Sequence, residues 1–265
     1  MDYNIVLQNF INYLKSINYN LSYVNYVKLF LNYLQENNIE FNNVNQDTII
    51  NFFNSNNYKP ETKNLFIKSM KKFYDYLGIE NPFKIFKYIR VEKKYPKFIT
   101  KKEFDVLYNY IRSIDLKFSI ILKFAFYSGL RMGEIINLKR DNFNFEKNTI
   151  TIYHTKTKHS RIIVIPEKVK NEILDFFNKE AEVINAFNIT KNEFIYKLKK
   201  YSKIVLNKLI NPHQLRHSFA RYLLDKGVSL NIVSKLLGHK NLLTTSIYLE
   251  PDEELIRDVY KQKIG

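Results

Sequence analysis

The sequence predicts a mainly α-helical protein with one small antiparallel β-sheet. Apolar residues recur at helical spacing along most of its 265 residues, and two short runs, 149–154 and 160–166, have the composition and period of strands. A helical part precedes a mixed part, and a stretch rich in lysine with two prolines separates them. We therefore expect a helical domain at 1–90, a basic linker at 91–97 and an α+β domain at 98–265.

Three apolar stripes predict helices in the first domain. They consist of Phe10, Tyr13, Leu14 and Ile17; of Tyr23, Tyr26, Val27, Phe30, Leu31 and Leu34; and of Leu65, Ile67, Met70, Phe73, Tyr74 and Leu77. Pro60 can begin the last of these helices, since proline is tolerated in a first turn, and Gly78 can end it in the left-handed conformation.

Lysines and arginines accumulate between Asn81 and Lys102, where the apolar pattern weakens. This pattern is typical of a linker between domains. The linker could be a solvated loop or could lie along a phosphate backbone, and the charge of the rest of the chain favours the second interpretation.

The second domain begins with a capping-box pair, Thr100 and Glu103, ahead of an apolar stripe. Residues 116–127 are almost wholly apolar, which predicts a buried helix, and Gly129 can end it. The two strand-like runs form a hairpin with a basic tip at 155–159. Further helices are expected at 167–179, about 190–209 and 214–226, with Gly227 as a terminator and a restart at Ser229.

Composition excludes several classes of chemistry. The chain has no cysteine, so disulfides, thiolate zinc sites and cysteine nucleophiles are ruled out. No secretory leader and no uncharged apolar stretch of about 18 residues is present, so we expect a soluble cytoplasmic protein.

The charge of the chain points to a polyanionic partner. The net charge is +16, from 42 basic and 26 acidic residues, and both parts are cationic: residues 1–97 carry +5 (13 − 8) and residues 98–265 carry +11 (29 − 18). Such a field attracts nucleic acid. An AT-rich genome could also produce a lysine-rich composition, so charge alone does not decide the partner.

Four separated segments carry residues suited to chemistry on a phosphate. They are Ser128–Glu134 with Arg131, the hairpin with Lys156, Pro212–Ala220 with His213 and Arg216, and Leu237–His239 followed by Tyr248. Taken singly, each residue is more often a surface or core residue than a catalytic one.

In order and spacing, these segments closely resemble the tyrosine recombinase (phage integrase) family. The family has an arginine in a Gly-Leu-Arg turn, a lysine on a β-hairpin, a His-x-x-Arg pair, a Leu-Gly-His and a tyrosine nine residues later, and Tyr248 lies nine residues after His239. The resemblance is strong from residue 98 to about 260, and looser in the helical part, which looks like the core-binding domain of the family. It implies a helical core-binding domain followed by a mixed α+β catalytic domain.

The chemistry of a phosphodiester independently fits these residue types. Two guanidiniums, Arg131 and Arg216, can bind the two non-bridging oxygens on which charge develops. Attack by the hydroxyl of Tyr248 would leave a phosphotyrosine ester that conserves the energy of the broken bond, so we expect neither a metal nor a nucleotide cofactor.

The remaining roles follow from the resemblance. Counting back five residues from Arg161 makes Lys156 the general acid for the leaving 5′ oxygen, although Lys158 remains a competitor because the tip lacks the usual glycines. The resemblance also implies that His213 assists proton transfer from the tyrosine and that His239 donates to a non-bridging oxygen. Glu134 is expected to orient Arg131 or the histidines.

His217 is expected to brace the fold. The C-terminal tail, 249–265, is expected either to cap its own domain or to dock into a neighbouring protomer.

The leading hypothesis is a site-specific recombinase that acts on double-stranded DNA, as a homodimer on one site and a tetramer in the synaptic complex, through a 3′-phosphotyrosyl intermediate and a Holliday junction. The compact N-terminal part favours Xer-type dimer resolution over mobile-element integration or excision. The alternatives are a type IB topoisomerase-like relaxing enzyme and a non-catalytic, architectural DNA-binding protein.

Overall fold

The computed structural model describes residues 3–91, 96–153, 160–179, 184–238 and 243–246. The chain divides into two compact units, 1–93 and 94–265. Helices dominate both units, and one three-stranded antiparallel sheet lies in the second, so the predicted fold class is confirmed. No helix within the described ranges is both long and apolar enough to cross a membrane.

The first unit packs helices around an aromatic core. Its helices are α1 (Tyr3–Ser16), α2 (Ser22–Glu36), α3 (Gln46–Asn54) and α4 (Pro60–Leu77), with a 3₁₀ turn at Phe41–Asn43. Pro60 occupies the first turn of α4, and Gly78 ends that helix with φ +68°, as predicted. No predicted stripe marked α3, which begins where the side chain of Asn45 accepts a hydrogen bond from the Thr48 N–H. Ile17 and Leu65, which belong to the predicted stripes, are exposed.

The stretch that follows α4 is bound back onto that helix. Asn64 donates to the carbonyl of Ile89 and accepts from its N–H, both at 2.8 Å, and the Lys71 ammonium donates to the carbonyl of Phe86 at 3.0 Å. Phe86 and Ile89, within the basic stretch that begins at Asn81, are therefore hydrogen-bonded to α4 and lie inside the range 1–90 expected for the first domain.

The second unit contains the sheet and the remaining helices. The helices are α5 (Lys101–Ile114), α6 (Leu116–Ser128), α7 (Met132–Ile136), α8 (Glu167–Lys179), α9 (Lys191–Leu206), α10 (Pro212–Asp225), α11 (Leu230–Leu237) and α12 (Leu243–Ser246). The strands β1 (Phe143–Asn144), β2 (Thr149–Tyr153) and β3 (Ser160–Val164) pair antiparallel in the order β1-β2-β3. The hairpin of β2 and β3 was predicted, and β1 was not.

Helix α6 is the centre of this unit. Most of its side chains are buried, including Phe118, Phe124 and Phe126, as its continuous apolar sequence predicted. Gly129 ends α6 with φ +60°, and the ring of Phe219 from α10 occupies the space where a Cβ would lie, 2.2 Å from the nearest ring carbon. This close approach brings α10 against the end of α6.

The entry to α5 is also joined to the middle of α10. Thr100 and Glu103 form the predicted capping box at the start of α5. The preceding residue, Ile99, donates its N–H to the buried hydroxyl of Ser218 at 2.8 Å, and that hydroxyl donates to the carbonyl of Gln214 at 2.7 Å. Ser218 thus anchors the entry to α5 on the helix that carries His213 and Arg216.

Substitution of Gly129 by alanine should destabilise the second unit strongly. The left-handed backbone costs alanine roughly 1–2 kcal/mol, and the clash with Phe219 should add about 1–3 kcal/mol. Gly227→Ala is the matched control, because Gly227 has φ +80° but no atom within 4 Å of an added Cβ. In urea denaturation, Gly129→Ala should have a lower midpoint than Gly227→Ala. Equal midpoints would contradict the close approach of Phe219 to Gly129.

Candidate active site

The turn after α6 presents Arg131 next to a carboxylate. Arg131 precedes the first residue of α7, and its backbone N–H donates to Glu134 Oε2 at 2.8 Å. The guanidinium Nη1 lies 3.4 Å from Glu134 Oε1, and the side chain of Arg131 is 42% exposed. The backbone of Arg131 is therefore held firmly, whereas its guanidinium faces solvent with a long contact to the carboxylate.

Glu134 is bound more closely by Arg161 on β3. Arg161 Nη1 donates to Oε1 at 2.7 Å and Nη2 donates to Oε2 at 3.0 Å, in a bidentate pair whose side chains are only 16% and 10% exposed. Burial opposes ionisation of Glu134, but the hydrogen bonds and charges of Arg161 and Arg131 outweigh it and lower the pKa of the carboxyl. Glu134 is therefore ionised at neutral pH.

Arg216 connects two chain segments that are distant in sequence. Its residue is 4% exposed, Nη1 donates to the carbonyl of Gly129 at 2.8 Å, and Nη2 donates to the carbonyl of Leu237 at 2.6 Å. Both acceptors are neutral, so these two bonds orient the guanidinium without cancelling its charge.

The end of α11, where Leu237 accepts the bond from Arg216, lies against Arg161. Gly238 ends α11 with φ +66°, and a Cβ placed there would be 3.1 Å from Arg161 Cζ. The turn at 129–134, strand β3, helix α10 and the end of α11 thus meet: Arg131 and Arg161 contact Glu134, and Arg216 joins the turn to the end of α11.

His213 and His217 lie on successive turns of α10. Their ring centroids are 6.5 Å apart, and His213 is exposed. Burial, with the neighbouring His213 and Arg216, lowers the pKa of His217 to about 4, so this imidazole is neutral at physiological pH. A cleft of about 330 Å³ opens beside both rings and is also lined by Lys97, Asn211 and others. Lys97 places a positive charge in this cleft beside the start of α10.

The described structure brings Arg131, Glu134 and Arg216 together and places His213 on the same helix as Arg216. Lys156, its competitor Lys158, His239 and Tyr248 lie outside the described residues, as does the C-terminal tail. Gly238, the residue before His239, lies against Arg161. Glu134 was expected to orient Arg131 or the histidines. Among the described residues, its side-chain ion pairs are with Arg131 and Arg161.

Arg161 was not among the predicted site residues. It had served only as a marker for counting back to the hairpin lysine. A signal was nevertheless present in the sequence: within the run SRIIVIP, Arg161 alternates with Ile163 and Ile165, and it therefore shares the face of the strand that those apolar residues occupy. A charged side chain on the core-facing side of a strand predicts a buried partner of opposite charge.

Comparison with known proteins identifies similar chains. The sequence profile of the Phage integrase family matches residues 97–254. A tyrosine recombinase of Pseudothermotoga lettingae is 30% identical over 266 residues, covering 92% of this chain and 93% of the relative. Tyrosine recombinase XerA of Pyrococcus furiosus is 29% identical over 201 residues, covering 72% of this chain and 70% of the relative.

A solved structure shows the same fold. The crystal structure of XerH site-specific recombinase bound to difH substrate, a pre-cleavage complex, superimposes with a TM-score of 0.69. The match covers 91% of this chain and 78% of the XerH chain at 20% sequence identity, a level at which the likeness establishes the fold.

The neutral state of His217 should make the protein less stable in acid. The pKa is about 4 in the folded protein against 6.5 for the unfolded residue, so between these values the unfolded chain binds more protons. Stability is therefore lost as the pH falls from about 6.5 towards 4, by at most about 1.4 kcal/mol per pH unit. Urea denaturation of His217→Gln should show a shallower dependence over this window. The same dependence of unfolding free energy on pH in both proteins would contradict the lowered pKa of His217.

Proposed function

The chain belongs to the phage integrase family of tyrosine recombinases, enzymes that break and rejoin DNA strands, and we propose that it recombines specific sites in double-stranded DNA with Tyr248 as nucleophile. Relatives named tyrosine recombinase favour recombination over topoisomerase-like relaxation and over a purely architectural role.

The observation that carries the proposed chemistry is the double anchor of Arg216. Its bonds to Gly129 and Leu237 join the segment that leads to Arg131 with the segment that leads to His239. One guanidinium held by two backbone carbonyls and a second one that faces solvent suit the two non-bridging oxygens of one phosphate. We assign Arg131 and Arg216 to that role, with His239 as an additional donor.

The proposed reaction conserves phosphodiester energy. The hydroxyl oxygen of Tyr248 attacks phosphorus, the bond from phosphorus to the 5′ oxygen breaks, and a 3′-phosphotyrosyl ester forms. His213 assists removal of the tyrosine proton, and a lysine of the hairpin tip, Lys156 in our assignment, gives a proton to the leaving 5′ oxygen. The 5′ hydroxyl of a partner strand then reverses these steps, so the chemistry requires no nucleotide cofactor.

The DNA partner fits the charge of the whole chain. A net charge of +16 provides phosphate contacts in both units, and we assign the helical first unit to binding of the duplex. Strand exchange through a Holliday junction needs two sites, so we propose a homodimer on each site, a tetramer in synapsis and the cytoplasm as the compartment. The XerA relative favours Xer-type dimer resolution over integration or excision of a mobile element.

Trapping of the covalent intermediate tests the proposal. Nicked duplexes drawn from a random library should accumulate a protein–DNA adduct with the wild-type chain, because the short 5′ fragment diffuses away after cleavage. Tyr248→Phe should form none, and Arg131→Ala or Arg216→Ala should slow adduct formation by about 10²- to 10³-fold.

Tyr260→Phe is the matched control, since it removes a tyrosine hydroxyl from the C-terminal tail and should leave adduct formation unchanged. An adduct that persists in Tyr248→Phe, or absence of any adduct with the wild-type chain across the library, would refute the assignment. The recovered sequences would identify the target site.

The choice between Lys156 and Lys158 can be tested with a substrate whose leaving oxygen is replaced by sulfur. A thiolate leaves without protonation, so the substrate bypasses the general acid. Lys156→Ala should cleave normal DNA slowly and should regain the wild-type cleavage rate on the sulfur substrate. Lys158→Ala should cleave both substrates at rates close to those of the wild-type chain. The reverse pattern would transfer the role to Lys158.

A further inference from the structure

Arg161 occupies a position where the sheet otherwise places apolar residues. It pairs with Ile152 on β2, and the neighbouring inward residues Ile150, Ile152 and Ile163 are at most 8% exposed. A buried ion pair is rarely the most stable choice for such a position, since an apolar residue of similar volume is often as good or better. The arginine at 161 therefore calls for a role beyond packing.

The distribution of contacts on Glu134 suggests that role. Each carboxylate oxygen accepts a short hydrogen bond from Arg161, at 2.7 and 3.0 Å, whereas the Arg131 guanidinium reaches the carboxylate only at 3.4 Å. Arg161 thus takes the positions through which Glu134 would otherwise bind Arg131 in a bidentate pair. The backbone N–H of Arg131 still uses Glu134, so the turn is held while the guanidinium is left extended towards solvent.

The local charge balance leads to the same conclusion. Arg131, Arg161 and ionised Glu134 together carry a charge of +1, and removal of Arg161 would reduce this sum to zero. A carboxylate that is 10% exposed interacts strongly with any cation in reach because water screens it little. Without Arg161, Glu134 would bind the Arg131 guanidinium directly and cancel the charge that a phosphate needs.

We infer that Arg161 is a positioning residue that saturates Glu134 and thereby keeps the Arg131 guanidinium available for the substrate phosphate. This inference rests on the proposed function for its consequence in DNA cleavage, but the electrostatic competition itself is a property of the free protein. Arg161 acts through Glu134 and Arg131 and has no assigned contact with DNA.

A rescue experiment separates this role from structural support. Arg161→Met keeps an apolar chain against Ile152 and should slow adduct formation on the recovered nicked duplexes by about 10- to 100-fold, while the Kd for the same duplexes changes less than about threefold. Adding Glu134→Gln removes the competing charge but keeps an oxygen for the Arg131 N–H. The double variant Glu134→Gln/Arg161→Met should therefore be faster than Arg161→Met alone. Arg140→Met, which removes another partly buried arginine of the same unit, should leave the rate unchanged.

A labelling readout tests the inference without DNA. Phenylglyoxal modifies accessible guanidiniums, and mass spectrometry measures the rate at Arg131. Modification should be slower in Arg161→Met, because Glu134 then binds Arg131, and should recover in the double variant. If Arg161→Met fails to fold, Arg161→Lys can be used instead. Its ammonium is a single point charge in place of the bidentate guanidinium, so labelling of Arg131 should slow to a smaller degree.

The outcomes are distinct. Equal impairment of the single and double variants, or unchanged labelling of Arg131, would overturn the inference and leave Arg161 as a brace of the sheet. If the wild-type chain forms no Tyr248-dependent adduct, the proposed function fails, whereas the labelling series still decides whether Arg161 controls Arg131.

Discussion

The candidate site depends on the cost of removing charged groups from water. Glu134, Arg161 and Arg216 are largely desolvated, and each would destabilise the unit by several kcal/mol without hydrogen-bonding partners. These groups and their partners lie on α10, on strand β3, in the turn from Gly129 to Glu134 and at the end of α11. Satisfying these groups therefore restricts how the four segments can be arranged, and the same arrangement orients the Arg216 guanidinium, to which we assign phosphate binding.

A rigid apolar scaffold makes this arrangement reproducible. Helix α6 is buried along most of its length, and Gly129 lets the chain turn sharply while Phe219 fills the adjacent space. Ser218 ties α10 to the start of α5 through a buried hydroxyl. Arg216 lies within one helical turn of both contacts on α10, so packing and hydrogen bonding limit its movement before any DNA binds.

Local signals predicted much of the fold, and features that depend on distant partners were missed. Thr100, Gly78 and Gly129 mark helix ends through short-range chemistry, and all three were predicted. Strand β1 has two residues and is defined only by its pairing with β2, so it carries no pattern of its own. The contact between Arg161 and Glu134 spans 27 residues and depends on the register of the sheet. The roles of Lys156, His239 and Tyr248 stay predictions, because they rest on spacing and resemblance.

The hydroxyl of Ser218 and the guanidinium of Arg216 bond to groups 119 and 87 residues away in the chain. During synthesis, the turn that carries Arg131 emerges long before α10 exists to complete it, and closing loops of this length is slow compared with forming local helices. A chain that ends before α10 consequently lacks both bonds of Arg216, which join the turn after α6 to the end of α11. For an enzyme that breaks and rejoins DNA strands, late assembly couples the capacity to break a strand to completion of the domain that must also reseal it.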